Sequence, residues 1–478
     1  MSNAFSFFQA VLPARPARGM SLATALGIAT ALGMVGVLLG PSLGASQSAQ
    51  AQTRGAGSIY SRFGLGELHT FSSSQEQAMG GGGARALRSL NYTTFANPAL
   101  WSDQELTRLN IGGRYRRVNA QDAGGQTSRL SSGRLQSVQF SFPLYAGKLG
   151  VGVGFRPYSR TEYRVLAQPQ TVPGDSALYQ IDYRGEGGLR QISGGLGYRF
   201  GDVLSLGVRG DVIFGILESQ RRTTFSNRAR FAPTVLSTRT RLAGFTGTAG
   251  GLLSLSDVFR SEDALSIGAT FTLPARLSGE RARTIGATLD RDTLALGSGA
   301  PATGDEENRA EEGGLTIPLS AALGLGYKPS ERWTLIADGL YEPWSNADSD
   351  FESAPLPGID ALRDRLRFSV GAELLPAGNN RNATFFSRTA YRLGAYYEQT
   401  YVDAQTVFDD APEGTGINAL AATGGVSLPT PLYGTRIDVG VEAGTRGTTD
   451  ADLIRDVFYG LSLNVNLGER WFQRRKLR

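Results

Sequence analysis

The last stretch of the chain alternates in hydropathy. Tyr459, Leu461, Leu463, Val465 and Leu467 are apolar, with Gly460, Ser462, Asn464 and Asn466 between them. A strand turns successive side chains to opposite faces, so a period of two gives one apolar and one polar side. The pattern recurs upstream. Leu109, Ile111 and Tyr115 alternate with Asn110, Gly112, Arg114 and Arg116. Val138, Phe140, Phe142 and Leu144 run through a turn at 145–148 into Leu149, Val151, Val153 and Phe155. Ile192, Leu196, Tyr198 and Phe200 turn at Gly201-Asp202 into Leu204, Leu206, Val208, Val212, Phe214 and Ile216. Further strands are expected near 242–255, 264–274, 315–327, 332–343, 364–375, 388–400, 416–428, 434–445 and 455–467. Tight turns alternate with longer segments at 119–133, 159–187, 219–240, 274–314, 344–363, 399–415 and 446–454. The fold class this predicts is all-β: a transmembrane antiparallel β-barrel of about fourteen strands over 106–468, with short turns in the periplasm and long loops outside. A soluble propeller would need a blade repeat, and none is visible. A soluble sandwich would not normally reach so many strands with so few short connections.

The N-terminus fits that location. Arg15 and Arg18 precede an uncharged, mostly apolar run from Leu22 to Leu39, then Pro41 and Ala49-Gln50-Ala51. These features predict a signal peptide over 1–51, cleaved before Gln52. A retained helix is the rival, because the run approaches the ~20 residues needed to span a bilayer. The small-residue site and the lack of a basic stop-transfer flank favour cleavage. The expected location is the outer membrane of a Gram-negative bacterium, with outer-membrane lipid around the barrel.

Composition narrows the chemistry. The chain has no Cys, which excludes disulfides, thiolate metal sites and a lipid-modified N-terminal Cys. His69 is the only histidine, so a His-rich metal site cannot be built. No P-loop occurs. We expect no catalytic residue, no cofactor and no resident metal, hence no enzyme. The net charge of +5 comes from scattered arginines rather than a block, a poor footprint for nucleic acid. Residues 304–312 form the one acidic cluster, readable as a solvated loop or a weak divalent-cation site.

Residues 52–105 do not alternate, yet Tyr60, Phe63, Phe71, Tyr92, Phe95 and Trp101 are too many aromatics for a disordered linker. Ser74-x-x-Gln77 resembles a capping box, and Asn97-Pro98 offers an N-cap followed by Pro at the first helical position. Gly80, Gly81 and Gly82 permit tight backbone approach. A compact hatch entering the barrel from its periplasmic end is expected, with a tail packed on the rim as the alternative.

These residues carry a resemblance. Ser58-Ile59-Tyr60-Ser61-Arg62-Phe63-Gly64-Leu65-Gly66, Ala78-Met79-Gly80-Gly81 and Ala96-Asn97-Pro98-Ala99 are similar to the N-terminal region of the FadL-type outer-membrane transport family. Glu469-Arg470-Trp471-Phe472 and Asp338-x-x-Tyr341-x-x-Trp344-Ser345 resemble further patterns there. The resemblance implies a fourteen-stranded barrel plugged by an N-terminal hatch that includes Gly80, Gly81, Gly82, Asn97, Pro98 and Ala99. It also implies passive uptake of hydrophobic small molecules, often long-chain fatty acids. Arg85 and Arg88 depart from the pattern, and a cation there would suit a carboxylate headgroup.

Arg114, Arg116, Arg199 and Arg209 fall on the polar, lumen-facing side of their strands. With Arg85 and Arg88 they are candidate lumen contacts, for substrate or for structural ion pairs. Gly150, Gly152 and Gly154 leave one face of the third strand bare, and Pro157 removes a ladder donor. The family's lateral exit uses a kinked early strand, so these four residues are the candidate exit; packing of the hatch against the glycines explains them as well. The basic tail at 469–478 suits lipid phosphates, or a signal read by the barrel assembly machinery. Two alternatives to uptake remain: a barrel serving as a binding platform or secretion accessory, and a general porin.

Overall fold

A computed structural model describes residues 57–470, apart from 82–84, 88–91, 227–230, 287–308, 352–357, 379, 381, 408–414 and 433. The signal peptide, the tail from 471 on and most of the acidic cluster lie outside the described residues; Glu311 and Glu312 stand on a strand.

The wall is a closed antiparallel barrel of 14 strands. In chain order they are β1 (Thr107–Gln121), β2 (Thr127–Tyr145), β3 (Leu149–Pro157, resuming at Tyr163–Leu166 and Gln170–Thr171), β4 (Leu178–Phe200), β5 (Leu204–Phe225) and β6 (Thr234–Ser256). Then come β7 (Ala264–Thr272 and Ala275–Gly286), β8 (Arg309–Ile317 and Ser320–Ser330), β9 (Trp333–Glu342), β10 (Arg365–Leu374) and β11 (Ala390–Asp403). The last are β12 (Gly416–Pro429), β13 (Arg436–Arg446) and β14 (Arg455–Glu469). Each strand pairs with the next, and β14 returns to β1 from Thr107↔Glu469 to Gln121↔Arg455, which leaves no edge where the ring closes. No helix among the described residues is long and apolar enough to cross a membrane.

Burial is inverted, as lipid outside and polar contents inside require. On β1, Ile111 and Tyr115 are 44% and 48% exposed, whereas Asn110 is fully buried. On β14, Tyr459 and Leu461 face out while Ser462, Asn464 and Asn466 are buried.

Several segments expected to be loops are strand instead. β2 begins at Thr127, β4 at Leu178 and β6 at Thr234, and β5 runs on to Phe225. Alternation of apolar and polar residues weakens beyond the lipid-facing band because outward positions there meet water. The ladder continues regardless: β4 and β5 pair from Tyr179↔Phe225 to Phe200↔Leu204.

The N-terminal segment fills the interior. The sequence suggested a compact element inserted from the turn end, but residues 57–68 reach the loop end. There Tyr60, Phe63 and Leu65 pack with inward-facing Leu189, Ile213, Leu242, Leu277 and Leu315 as an apolar layer. Ser58 Oγ donates to Asp456, and Tyr60 Oη donates to the Ile454 carbonyl, both at the loop end of β14. The segment then descends through a polar layer and ends in a 3-10 turn, Pro98–Asp103, against β3 to β6. There the fully buried Trp101 lies on Gly150 and Gly152.

Candidate functional site

The filled lumen is the site, and short-range rules position its parts. Ser73 caps the helix Ser74–Ala78, its hydroxyl accepting from Glu76 N at 3.1 Å. The buried Glu76 carboxylate accepts from Ser72 N and Ser72 Oγ, each at 2.8 Å, and from Thr94 Oγ1 at 2.7 Å. The helix ends at Gly80 and Gly81, with φ of +72° and +80°, values that favour glycine. Gly80 N donates to Thr423 Oγ1 on β12 at 2.9 Å, and the Phe71 ring leaves no room for a side chain on Gly81. Asn97 caps the second turn by accepting from Ala99 N, while its amide donates to the Arg85 and Gly251 carbonyls. Pro98 takes the first position of that turn, and Ala99 is fully buried. Gly82 lies outside the described residues.

The middle layer is ionic. Arg114 pairs with Glu442, which also accepts from Tyr396 Oη at 2.5 Å and Gln77 Nε2 at 3.2 Å. Arg116 pairs with Glu67, and Arg446 with Asp456 at 3.1 Å and Glu67 at 3.4 Å. Arg365 bridges Glu342 and Glu398, Arg367 pairs with Glu398, and Arg392 bridges Glu373 and Asp438. Arg367 also lies 3.8 Å from the Tyr396 ring centroid and 4.8 Å from that of Phe71. Burial works against a charge on Glu67, yet Arg116 and Arg446 hold its carboxyl well below the usual range. Burial, reinforced by Arg134, Arg114 and Arg156, pushes His69 well below the ordinary imidazole value, so it is neutral.

The other candidate lumen arginines are engaged too. Arg85 meets Asp338 at 3.4 Å, Arg199 meets Asp103 at the turn end, and Arg209 binds Asp211 and the Phe95 carbonyl. Arg88 lies outside the described residues. Sequence reading missed most of the acidic half of this network. Its signal was parity: Asp438 and Glu442 occupy the polar face of β13, as Arg114 and Arg116 do on β1.

Gly150, Gly152 and Gly154 face the hatch. A side chain on Gly154 would meet the Phe95 ring at 2.6 Å. They lie where the wall is continuous, since β2 and β3 pair from Tyr145↔Leu149 to Val138↔Phe155, including Gln139↔Gly154 as the turn spacing predicts. The interruption comes just beyond. Past Pro157, residues Ser159–Arg160 bend inward to pair with Glu67–Leu68 of the N-terminal segment. The outer part of β2, from Thr127 to Ser137, therefore pairs with β1 alone among the described residues.

Among the described residues the lumen contains cavities of about 60 Å³ and 110 Å³, both lined by several arginines and by His69. Sites for drug-sized apolar ligands run to roughly 300–1,000 Å³ with mostly apolar walls. Cavities of this size and lining suit water or small polar groups.

No curated protein matches the chain. Among solved structures it is similar to a Pseudomonas aeruginosa FadL homologue, at 12% identity and TM-score 0.54, over 82% of this chain and 97% of that one. It is also similar to the P. putida toluene transporter TodX, at 15% identity and TM-score 0.51, over 85% and 100% of the two chains. The Ralstonia pickettii toluene transporter TbuX gives 14% identity and TM-score 0.50, over 84% and 99%. The fold is that of the FadL-type hydrophobic compound channels. The family model named BamG matches residues 37–478, and the chain belongs to the BamG family.

Proposed function

We propose that this chain is an outer-membrane barrel of a Gram-negative bacterium that works as a docking component for the barrel assembly machinery. The filled lumen carries this reading. The N-terminal segment is tied to the wall at several levels, through part-buried ion pairs of Glu67, Arg85 and Asp103 and a buried hydrogen bond from Ser58 to Asp456. A conduit for hydrophobic molecules needs an apolar path, whereas this interior holds paired charges and small polar cavities. What remains available to partners is the outer wall, the turns and the long strand extensions. The family name, BamG, supports the machinery as the partner. The test is co-purification of the tagged full chain with the insertase barrel of that machinery from native membranes. A stoichiometric complex is expected; recovery of the chain free of the insertase would count against the reading.

A second reading is passive uptake of hydrophobic molecules, with fatty acids among them. It is favoured by the interruption of β3 after Pro157, which opens the wall beside β2. On this reading the hatch would rearrange and substrate would leave sideways through that break. Flux of a labelled long-chain fatty acid into proteoliposomes containing the full chain would distinguish it from docking.

A further inference from the structure

Beside the smaller cavity, one guanidinium has no carboxylate partner among the described residues. Six arginines line the smaller cavity: Arg114, Arg116, Arg134, Arg365, Arg367 and Arg446. Five of them share the carboxylates of Glu67, Glu342, Glu398, Glu442 and Asp456. Arg134 makes no ion pair among the described residues, and its Nε has no partner. It stands directly opposite Arg114 in the β1–β2 ladder, so both cations point inward from adjacent strands. Like charges directly opposite each other destabilise a sheet. The Nε groups of Arg114, Arg116 and Arg446 are also unpartnered, although each residue is only 7% exposed. His69 Nε2, on the same cavity wall, lacks a partner as well.

We infer that this cavity binds one small oxyanion of the phosphate or sulfate class, held between Arg134, Arg114 and His69. Arg134, facing Arg114 without a carboxylate of its own, calls for an anion beside it. The volume of about 60 Å³ suits such an ion, since one water needs roughly 10–15 Å³ by this measure. Guanidinium groups present planar N–H donors that match an oxyanion, and neutral His69, in the tautomer that carries its proton on Nε2, donates to it as well. The ligand is a free ion rather than a lipid headgroup, because a space of this size has no room for acyl chains.

The test uses the detergent-purified full chain in phosphate-free buffer at constant ionic strength, titrated with inorganic phosphate while thermal unfolding is followed. A ligand that binds only the folded state raises the midpoint in a saturable way. Arg134→Gln should weaken half-saturation by about tenfold or more, the effect of losing one charge-assisted hydrogen bond. Arg129→Gln, exposed on the same strand, should titrate as the unaltered chain does. A rise that never saturates, or one unchanged by Arg134→Gln, would overturn the site. Should Arg134→Gln not fold, equilibrium dialysis of labelled phosphate against the unaltered chain decides. One saturable site per barrel supports the inference, and none refutes it.

Discussion

At the scale of single residues, the interior runs on charge pairs and close contacts. Glu442 receives Arg114, Tyr396 and Gln77, so Glu442→Ala leaves a buried guanidinium uncompensated. A loss of about 3–5 kcal/mol is expected in denaturant unfolding, and a cost below about 1 kcal/mol would show the pair to be solvated. Trp101→Ala removes the fully buried ring that covers Gly152 and should cost about 3–5 kcal/mol in the same assay. His69 gives a pH dependence. Its folded value is depressed, so the folded state binds fewer protons than the unfolded one and stability rises with pH. The stability lost through His69 should therefore appear as pH falls below the ordinary imidazole value of about 6.5. His69→Gln should flatten that part of the stability–pH curve; an unchanged slope would assign it to carboxylates such as Glu67. In the sequence the arginines were legible by strand parity. Their partners were not, because Arg114 on β1 meets Glu442 on β13 over the intervening β14, and only ring closure brings those strands together.

Among elements, β3 is the informative one. The turn at 145–148 fixed its register on β2 correctly, since a two-strand hairpin with a short turn leaves little freedom. The bare glycine face suggested a weak seam, but in three dimensions it is a seat for Trp101 and Phe95; a strand pattern records that a face is bare and not what fills it. The interruption lies past Pro157 instead. A disulfide between Phe140→Cys and Val153→Cys, which are paired residues, should thus form readily and leave any hydrophobic flux unchanged. Loss of flux on oxidation, restored by reduction, would return the opening to the glycine stretch. With no native Cys, Ser176→Cys in the connection before β4 should label on intact cells and Asp202→Cys in the β4–β5 turn should not. The opposite pattern would invert the barrel.

For the whole molecule, period-two alternation and the rhythm of short and long connections were enough to read a fourteen-stranded barrel, because lipid imposes one rule on every strand. The filling of the lumen was less legible. Residues 57–68 have no periodicity, and their path to the loop end is set by distant partners such as Asp456 and Ile454. That filling separates a docking barrel from a conduit, and deleting residues 57–104 should convert a quiet barrel into one of high conductance. Depleting the chain in its native host separates docking from uptake. The quantity to follow is the folded fraction of unrelated outer-membrane barrels, with uptake of a labelled fatty acid measured in the same cells. The docking account predicts that the folded barrels fall together while uptake per cell holds steady. Intact barrel folding with collapsed uptake would contradict it.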